Sequence, residues 1–254
     1  MLNQDLRGRR ALVTGGASGI GLATVTMLAE CNAKVAMNHL EDDPAGREQV
    51  ARLTAEGVDV ISAPGDVGDP NDAEAMAQRA ITELGGLDYL VNNAGMSGTE
   101  MPIPPSNLDM IDEELWQTLL TTNLISVFRI SKAAAPALKE ANGAIVNTAS
   151  TAGIGLQGSS TPYAASKSGV VSVTRSLARG LAPSVRVNAV APGQVETRWT
   201  AGWPEKHKQA ALDKSLIKRH VQPEDVAQVI IFLLIGASMI TGQTIVIDGG
   251  MTVS

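Results

Sequence analysis

Tyr163 and Lys167 stand four residues apart in the run Pro-Tyr-Ala-Ala-Ser-Lys, and Ser150 precedes the tyrosine by thirteen residues. On a helix, positions i and i+4 share a face, so phenol and ammonium point the same way. A phenol ionises near pH ~10 in isolation, and a neighbouring ammonium favours its phenolate. Such a pair supplies a proton donor and acceptor usable near neutral pH. A Tyr and a Lys at this spacing are also what an ordinary solvated helix face contains. What surrounds them decides between the two readings.

Runs rich in Val and Ile at 11–14, 34–38, 59–63, 89–93, 144–148, 185–191 and 244–247 read as strands. Segments of helical period lie between them, at 20–30, 43–55, 69–84, 112–139, 164–181 and 224–235. This alternation predicts an α/β fold, a doubly wound parallel sheet of about seven strands with helices on both faces. No repeat or linker divides the chain, so residues 1–254 read as a single domain. The irregular stretches near 96–108, 151–162 and 194–218 follow strand ends, where open α/β sheets bind their ligands. They are the expected substrate walls.

The first strand runs into Thr14-Gly15-Gly16-Ala17-Ser18-Gly19-Ile20-Gly21 and then a helix. Glycines let the backbone turn tightly and let a pyrophosphate approach the helix N-terminus, where free N–H groups and the dipole favour anions. Strand, glycine turn and helix in this order point to a nucleotide.

The glycine spacing is Gly-x-x-x-Gly-x-Gly, and here the chain resembles the short-chain dehydrogenase/reductase family. Asn92-Asn93-Ala94-Gly95 after the fourth strand is similar to a family motif, and Asp66-Val67 after the third to the pair that contacts adenine. Asn123, Ser150, Tyr163 and Lys167 resemble its catalytic tetrad in order and spacing. Pro192-Gly193 followed by Val195 and Thr197 resembles the segment that holds the nicotinamide. The resemblance implies a single-domain Rossmann fold that binds the cofactor and carries the catalysis. It implies hydride transfer between NADP(H) or NAD(H) and a carbonyl, with Gly15, Ser18, Gly19, Ile20 and Gly21 at the phosphates. Ser150 is then expected to hydrogen-bond the carbonyl oxygen and Tyr163 to protonate it. Lys167 is expected to lower the tyrosine pKa and hold the nicotinamide ribose, and Asn123 to fix a water linking Lys167 to solvent.

Dinucleotide folds that select NAD carry an acidic residue at the end of the second strand. That position falls on His39, preceded by Asn38. Without the carboxylate a 2′-phosphate is not repelled, and Asn38 and His39 can hydrogen-bond one. No arginine stands beside them, residue 18 is serine, and Glu41, Asp42 and Asp43 follow. The balance tips to NADP(H).

A formal charge of −6 argues against nucleic-acid and anionic-membrane binding, and no apolar run reaches the roughly 18 residues of a span. The three histidines have no second ligand at zinc-like spacing, so no metal is expected. One cysteine, Cys31, and a polar N-terminus fit the cytoplasm. No arginine pair stands out to clamp a phosphate or carboxylate, which leaves an uncharged, modest-sized ketone and its alcohol as the expected substrate. Lys206, Lys208 and Lys214 read as a solvated face, and Trp199 and Trp203 as a lid. Rival readings are a 3-oxoacyl-carrier-protein reductase, a sugar or steroid dehydrogenase, and a non-catalytic nucleotide sensor. Small residues on the helix after Tyr163 permit close helix contact, and a homotetramer or homodimer is expected.

Overall fold

The computed structural model describes residues 5–254; residues 1–4, part of the polar N-terminal stretch, lie outside it. Seven strands, β1 (Arg10–Val13), β2 (Lys34–His39), β3 (Val60–Pro64), β4 (Tyr89–Asn92), β5 (Ala144–Thr148), β6 (Arg186–Pro192) and β7 (Thr244–Ile247), form one parallel sheet in the order β3-β2-β1-β4-β5-β6-β7. Order reverses between β1 and β4, which opens a crevice above their carboxyl ends.

Successive side chains on a strand face opposite ways, and the sequence uses both faces. Ala11, Val13, Val35, Met37, Val91 and Val146 pack against helices α1 (Gly19–Glu30), α2 (Pro44–Ala55) and α9 (Pro223–Ile235). Their alternates Leu12, Ala36, Leu90 and Ile145 pack against α3 (Pro70–Leu84), α5 (Ser126–Ala141) and α6 (Thr161–Leu181). Burial on both faces explains why the strands read as continuous apolar runs. Among the described residues no helix is long and apolar enough to cross a membrane.

Two stretches depart from the expectations. The helix expected over 112–139 is two helices, α4 (Glu113–Leu120) and α5, joined by a π-helical turn at Thr121–Ile125. Asn123 lies inside that turn, and its side chain is bonded to the distant backbone of Met96. A widened turn of this kind displaces the chain locally and is common at functional sites. The stretch 194–218, expected as a loop, contains a short helix α7 (Arg198–Ala201) and a longer one, α8 (Glu205–Lys214).

Candidate active site

The glycine turn is built by contacts that exclude side chains. Gly15 has φ +61°, and a Cβ there would lie 2.9 Å from the Ala94 Cα. Gly19 has φ +51° and would place a Cβ 3.2 Å from the Thr197 methyl. Thus the turn after β1, the turn after β4 and the start of α7 meet over the crevice, leaving a backbone cradle that suits a pyrophosphate. Asn93 fixes this arrangement. Its backbone N–H donates to Thr14 Oγ1 (3.0 Å) and its amide donates to the Thr14 and Gly15 carbonyls (3.2 Å each). Thr148 Oγ1 donates to Asn93 Oδ1 (3.3 Å), tying β5 to the same turn.

Tyr163 enters the site because Ser160 caps α6. The Ser160 hydroxyl accepts from the Tyr163 N–H (3.3 Å), and Pro162 occupies the first turn, where its missing N–H costs nothing. The helix therefore begins three residues earlier than its periodicity suggests. Tyr163 and Lys167 then share a face as expected, with Lys167 Nζ 5.9 Å from the ring centroid. Nζ donates to the Thr148 carbonyl at 2.8 Å. An ammonium carries three donors, so two remain for a ligand. A Cβ at Gly95 would lie 3.5 Å from that Nζ and 3.0 Å from Asn123 Oδ1, so Gly95 keeps open the space they face.

Electrostatics here are set by burial. The Lys167 ammonium is desolvated, which lowers its pKa from 10.5 to about 8. Burial also pushes the Tyr163 phenol above its ordinary value, while the Ser150 hydroxyl beside it pulls the other way. The expected depression of the phenol by Lys167 is thus not what dominates in the free protein. The ammonium sits over the ring face rather than at the hydroxyl, and desolvation of the phenolate is larger.

Asn123 is fully buried and its amide is engaged: Oδ1 accepts from the Met96 N–H (2.8 Å), and Nδ2 donates to the Met96 carbonyl (2.9 Å) and Ser166 Oγ (3.3 Å). It anchors the loop after β4 against α6.

The cofactor residues expected at the second strand are placed differently from the expectation. Asn38 is buried beneath the glycine turn, accepting from the Gly15 N–H (3.1 Å) and donating to the Ala63 and Gly65 carbonyls. His39 is turned toward β3 and α2, with its ring nitrogens at Leu40 O (2.8 Å) and Ser62 Oγ (2.7 Å). A Cβ on Gly46 would overlap the imidazole, so the ring is clamped from above as well. Neither side chain has a free polar group for a 2′-phosphate, because the strand end consumes both. Asp66 is exposed and Val67 buried in the core just past β3.

A cleft of about 840 Å³ joins these parts. Gly15, Ser18, Gly19 and Ile20 line one end, then Asn93, Ala94 and Gly95. Ser150, Tyr163, Lys167, Pro192, Gly193, Val195 and Thr197 line the middle. Thr197 also caps α7 reciprocally with Thr200. Trp199 and Trp203, read in sequence as a lid, line the cleft as well, together with Ser97, Pro102, Gln157 and Met251. Also lining it are Arg198, His207 and Lys214 from the expected wall at 194–218, although Lys214 reads in sequence as part of a solvated face. Had 205–214 been read as a helix, its stripe of His207, Ala210, Ala211 and Lys214 at i, i+3, i+4 and i+7 would have been the signal. No group of three or more potential metal ligands occurs among the described residues.

A family model described as enoyl-(acyl carrier protein) reductase matches residues 15–252. A 3-oxoacyl-[acyl-carrier-protein] reductase of Thermotoga maritima is 38% identical over 98% of this chain and 99% of its own. The cis-4-hydroxycyclohexanecarboxylate dehydrogenase of Sinomonas cyclohexanicum is 38% identical over 96% of both chains. A short chain dehydrogenase from Burkholderia cenocepacia J2315, solved in complex with NADP, superposes with a TM-score of 0.87 at 33% identity, covering 98% of this chain and 100% of that one.

Proposed function

The chain belongs to the short-chain dehydrogenase/reductase family and is an NAD(P)-dependent oxidoreductase that interconverts a ketone and a secondary alcohol, and from that premise we propose that Tyr163 is its proton carrier, with Ser150, Lys167 and Asn123 completing the site. The observation that carries this reading is the convergence of Tyr163, Ser150 and the unspent donors of Lys167 on one cleft floored by the glycine cradle. When bound, the nicotinamide supplies the hydride, and in its oxidised form a positive charge.

In reduction, Ser150 donates a hydrogen bond to the carbonyl oxygen and Tyr163 Oη delivers its proton there as negative charge develops. A phenol held protonated by burial suits that task. In the reverse direction the phenolate takes the alcohol proton, and the nearby cationic charge favours it. Lys167 turns its two free donors to the ribose hydroxyls, and Asn123 holds the Met96 loop that walls the same space. Gly15, Ser18, Gly19, Ile20 and Gly21 hold the pyrophosphate. Asp66 and Val67 stand at the adenine, and Pro192, Gly193, Val195 and Thr197 at the carboxamide. One domain thus carries both nucleotide and substrate sites.

For the nucleotide we favour NADP(H). The second strand ends at residue 39 without the carboxylate that would exclude a 2′-phosphate, although Glu41, Asp42 and Asp43 follow. His39 and Asn38 are spent internally, so nothing there attracts one strongly. The preference over NADH is therefore modest, within about tenfold, since one good charge contact is worth roughly that factor. Exposed Ile125 and Phe128 on one side and Phe232 and Val246 on the other supply apolar faces for a homotetramer or homodimer. The free thiol of Cys31 fits a cytoplasmic setting.

The substrate proposed is a modest-sized, cyclic or branched ketone and its alcohol. A 3-oxoacyl thioester on a carrier protein is the second reading, favoured by the Thermotoga relative. Initial rates with cyclic ketones and a 3-oxoacyl thioester, each with NADPH and NADH, separate the two. Tyr163→Phe should lower kcat by about 10²–10⁴, the range for loss of a general acid, and leave nucleotide affinity within a few-fold. Turnover surviving that substitution would remove Tyr163 from its role.

A further inference from the structure

We infer that the substrate carries a carboxylate, held at the far end of the cleft by Lys214 and His207; this rests on the oxidoreductase reading and names the substrate class of that same site. In the sequence no arginine pair stands out to clamp an anion, and the lysines around 206–214 read as one solvated face. Helix α8 divides them. His207, Ala210, Ala211 and Lys214 fall on one stripe, and all four line the cleft. Lys208 is turned to the Ala201 carbonyl, and Asp213 to Gln209 outside the cleft. The stripe has two small residues between two long polar ones, so a ligand can lie against the alanines with a polar group at either end.

The cleft is electrostatically one-sided. No Asp or Glu lines it among the described residues, whereas Arg198, His207, Lys214 and Lys167 do. Nearby carboxylates are committed elsewhere. Glu196 accepts from Gln222, and Asp248 accepts from the Gly250 and Thr252 N–H groups. Among the described residues the side chains of Arg198, His207 and Lys214 have neither an ion pair nor a hydrogen bond. In a protein of net charge −6, basic side chains gathered at a cleft without a lining carboxylate favour an anionic ligand there.

Topology separates this wall from the cofactor's phosphates. The nucleotide cradle lies above β1 and β4, near the middle of the sheet. Lys214 is fastened at the other side, since its neighbour Ser215 bonds through its hydroxyl to the Gly249 carbonyl just beyond β7. Arg198 differs, because it directly follows Thr197, which touches the glycine turn. It belongs with the pyrophosphate, and His207 and Lys214 with the substrate. An ammonium and an imidazole N–H match the acceptor oxygens of a carboxylate.

The test compares a cyclohexanone bearing a carboxylate opposite its carbonyl with the methyl ester of the same compound, using NADPH. The acid should have at least about tenfold higher kcat/KM, the worth of one charge-assisted hydrogen bond. Its KM should rise with salt while that of the ester does not. Lys214→Met should bring the acid-to-ester ratio toward one through KM, and Lys214→Arg should keep it. The salt series on the wild-type protein stands even where a variant folds poorly. Equal use of ester and acid would overturn the inference and leave the oxidoreductase reading intact. Turnover of neither, across a panel of linear and cyclic keto acids and their esters, would overturn both.

Discussion

Replacing Lys167 by Met should make the nucleotide-free protein no less stable at neutral pH, although it removes a residue the site depends on. The wild-type ammonium is buried and its pKa falls from 10.5 to about 8. An unfolded chain keeps that proton up to its ordinary value, so between about 8 and 10.5 the unfolded state binds more protons. Stability from this group therefore rises with pH through that window, and below it the full penalty applies. The difference amounts to roughly 3 kcal/mol. Methionine fills similar space without the charge, but forfeits the bond to the Thr148 carbonyl, which costs about 1–3 kcal/mol. At pH 7 the variant should equal the wild type or exceed it by up to about 2 kcal/mol. Near pH 10.5 it should be the weaker by about 1–3 kcal/mol, because the wild-type penalty has vanished. At about 2–4 °C per kcal/mol for a chain of this size, the gap between the two melting temperatures should move by roughly 6–12 °C across that range. Melts of both proteins against pH, without nucleotide, measure it. Parallel curves would refute the claim that desolvation of Lys167 is what the fold tolerates for function. Adding NADP(H) should raise the wild-type midpoint more than that of the variant, since Lys167 then meets its ligand.

Gly15→Ala should destabilise the protein by about 2–4 kcal/mol, from the left-handed backbone and the close approach to Ala94. It should also weaken nucleotide binding more than tenfold; an unchanged Kd by fluorescence titration would mean the turn is not the cradle. His39→Asp places a carboxylate at the end of β2 and should move the NADPH-to-NADH ratio of kcat/KM toward NADH; with that side chain turned to β3 and α2, the shift should stay below the roughly tenfold of a like charge in contact with a phosphate. A constant ratio would show that another element discriminates the 2′ position.

The sheet was legible in the residues because parallel strands covered on both faces must be apolar throughout. The runs at 144–148 and 244–247 coincide with β5 and β7. The glycine turn was legible because only glycine satisfies its backbone, and Tyr163 with Lys167 because helical spacing fixes a shared face. What tertiary structure decided was where the polar atoms spend their bonds. His39 looks available in a sequence, yet Ser62 and Gly46, 23 and seven residues away, close over it. Asn123 looked like one residue of a long helix, and its bond to Met96 across 27 residues goes with a π-helical turn there. Lys167 was expected to acidify Tyr163, but burial raised the phenol, and burial belongs to the assembled layers rather than to any local stretch. Lys214 is exposed, as its sequence suggests, but the packing of 198–215 sets it with His207 along the rim of the cleft. Periodicity and glycine positions are local and survive in a sequence; orientation, desolvation and counter-charge depend on neighbours that only the fold supplies.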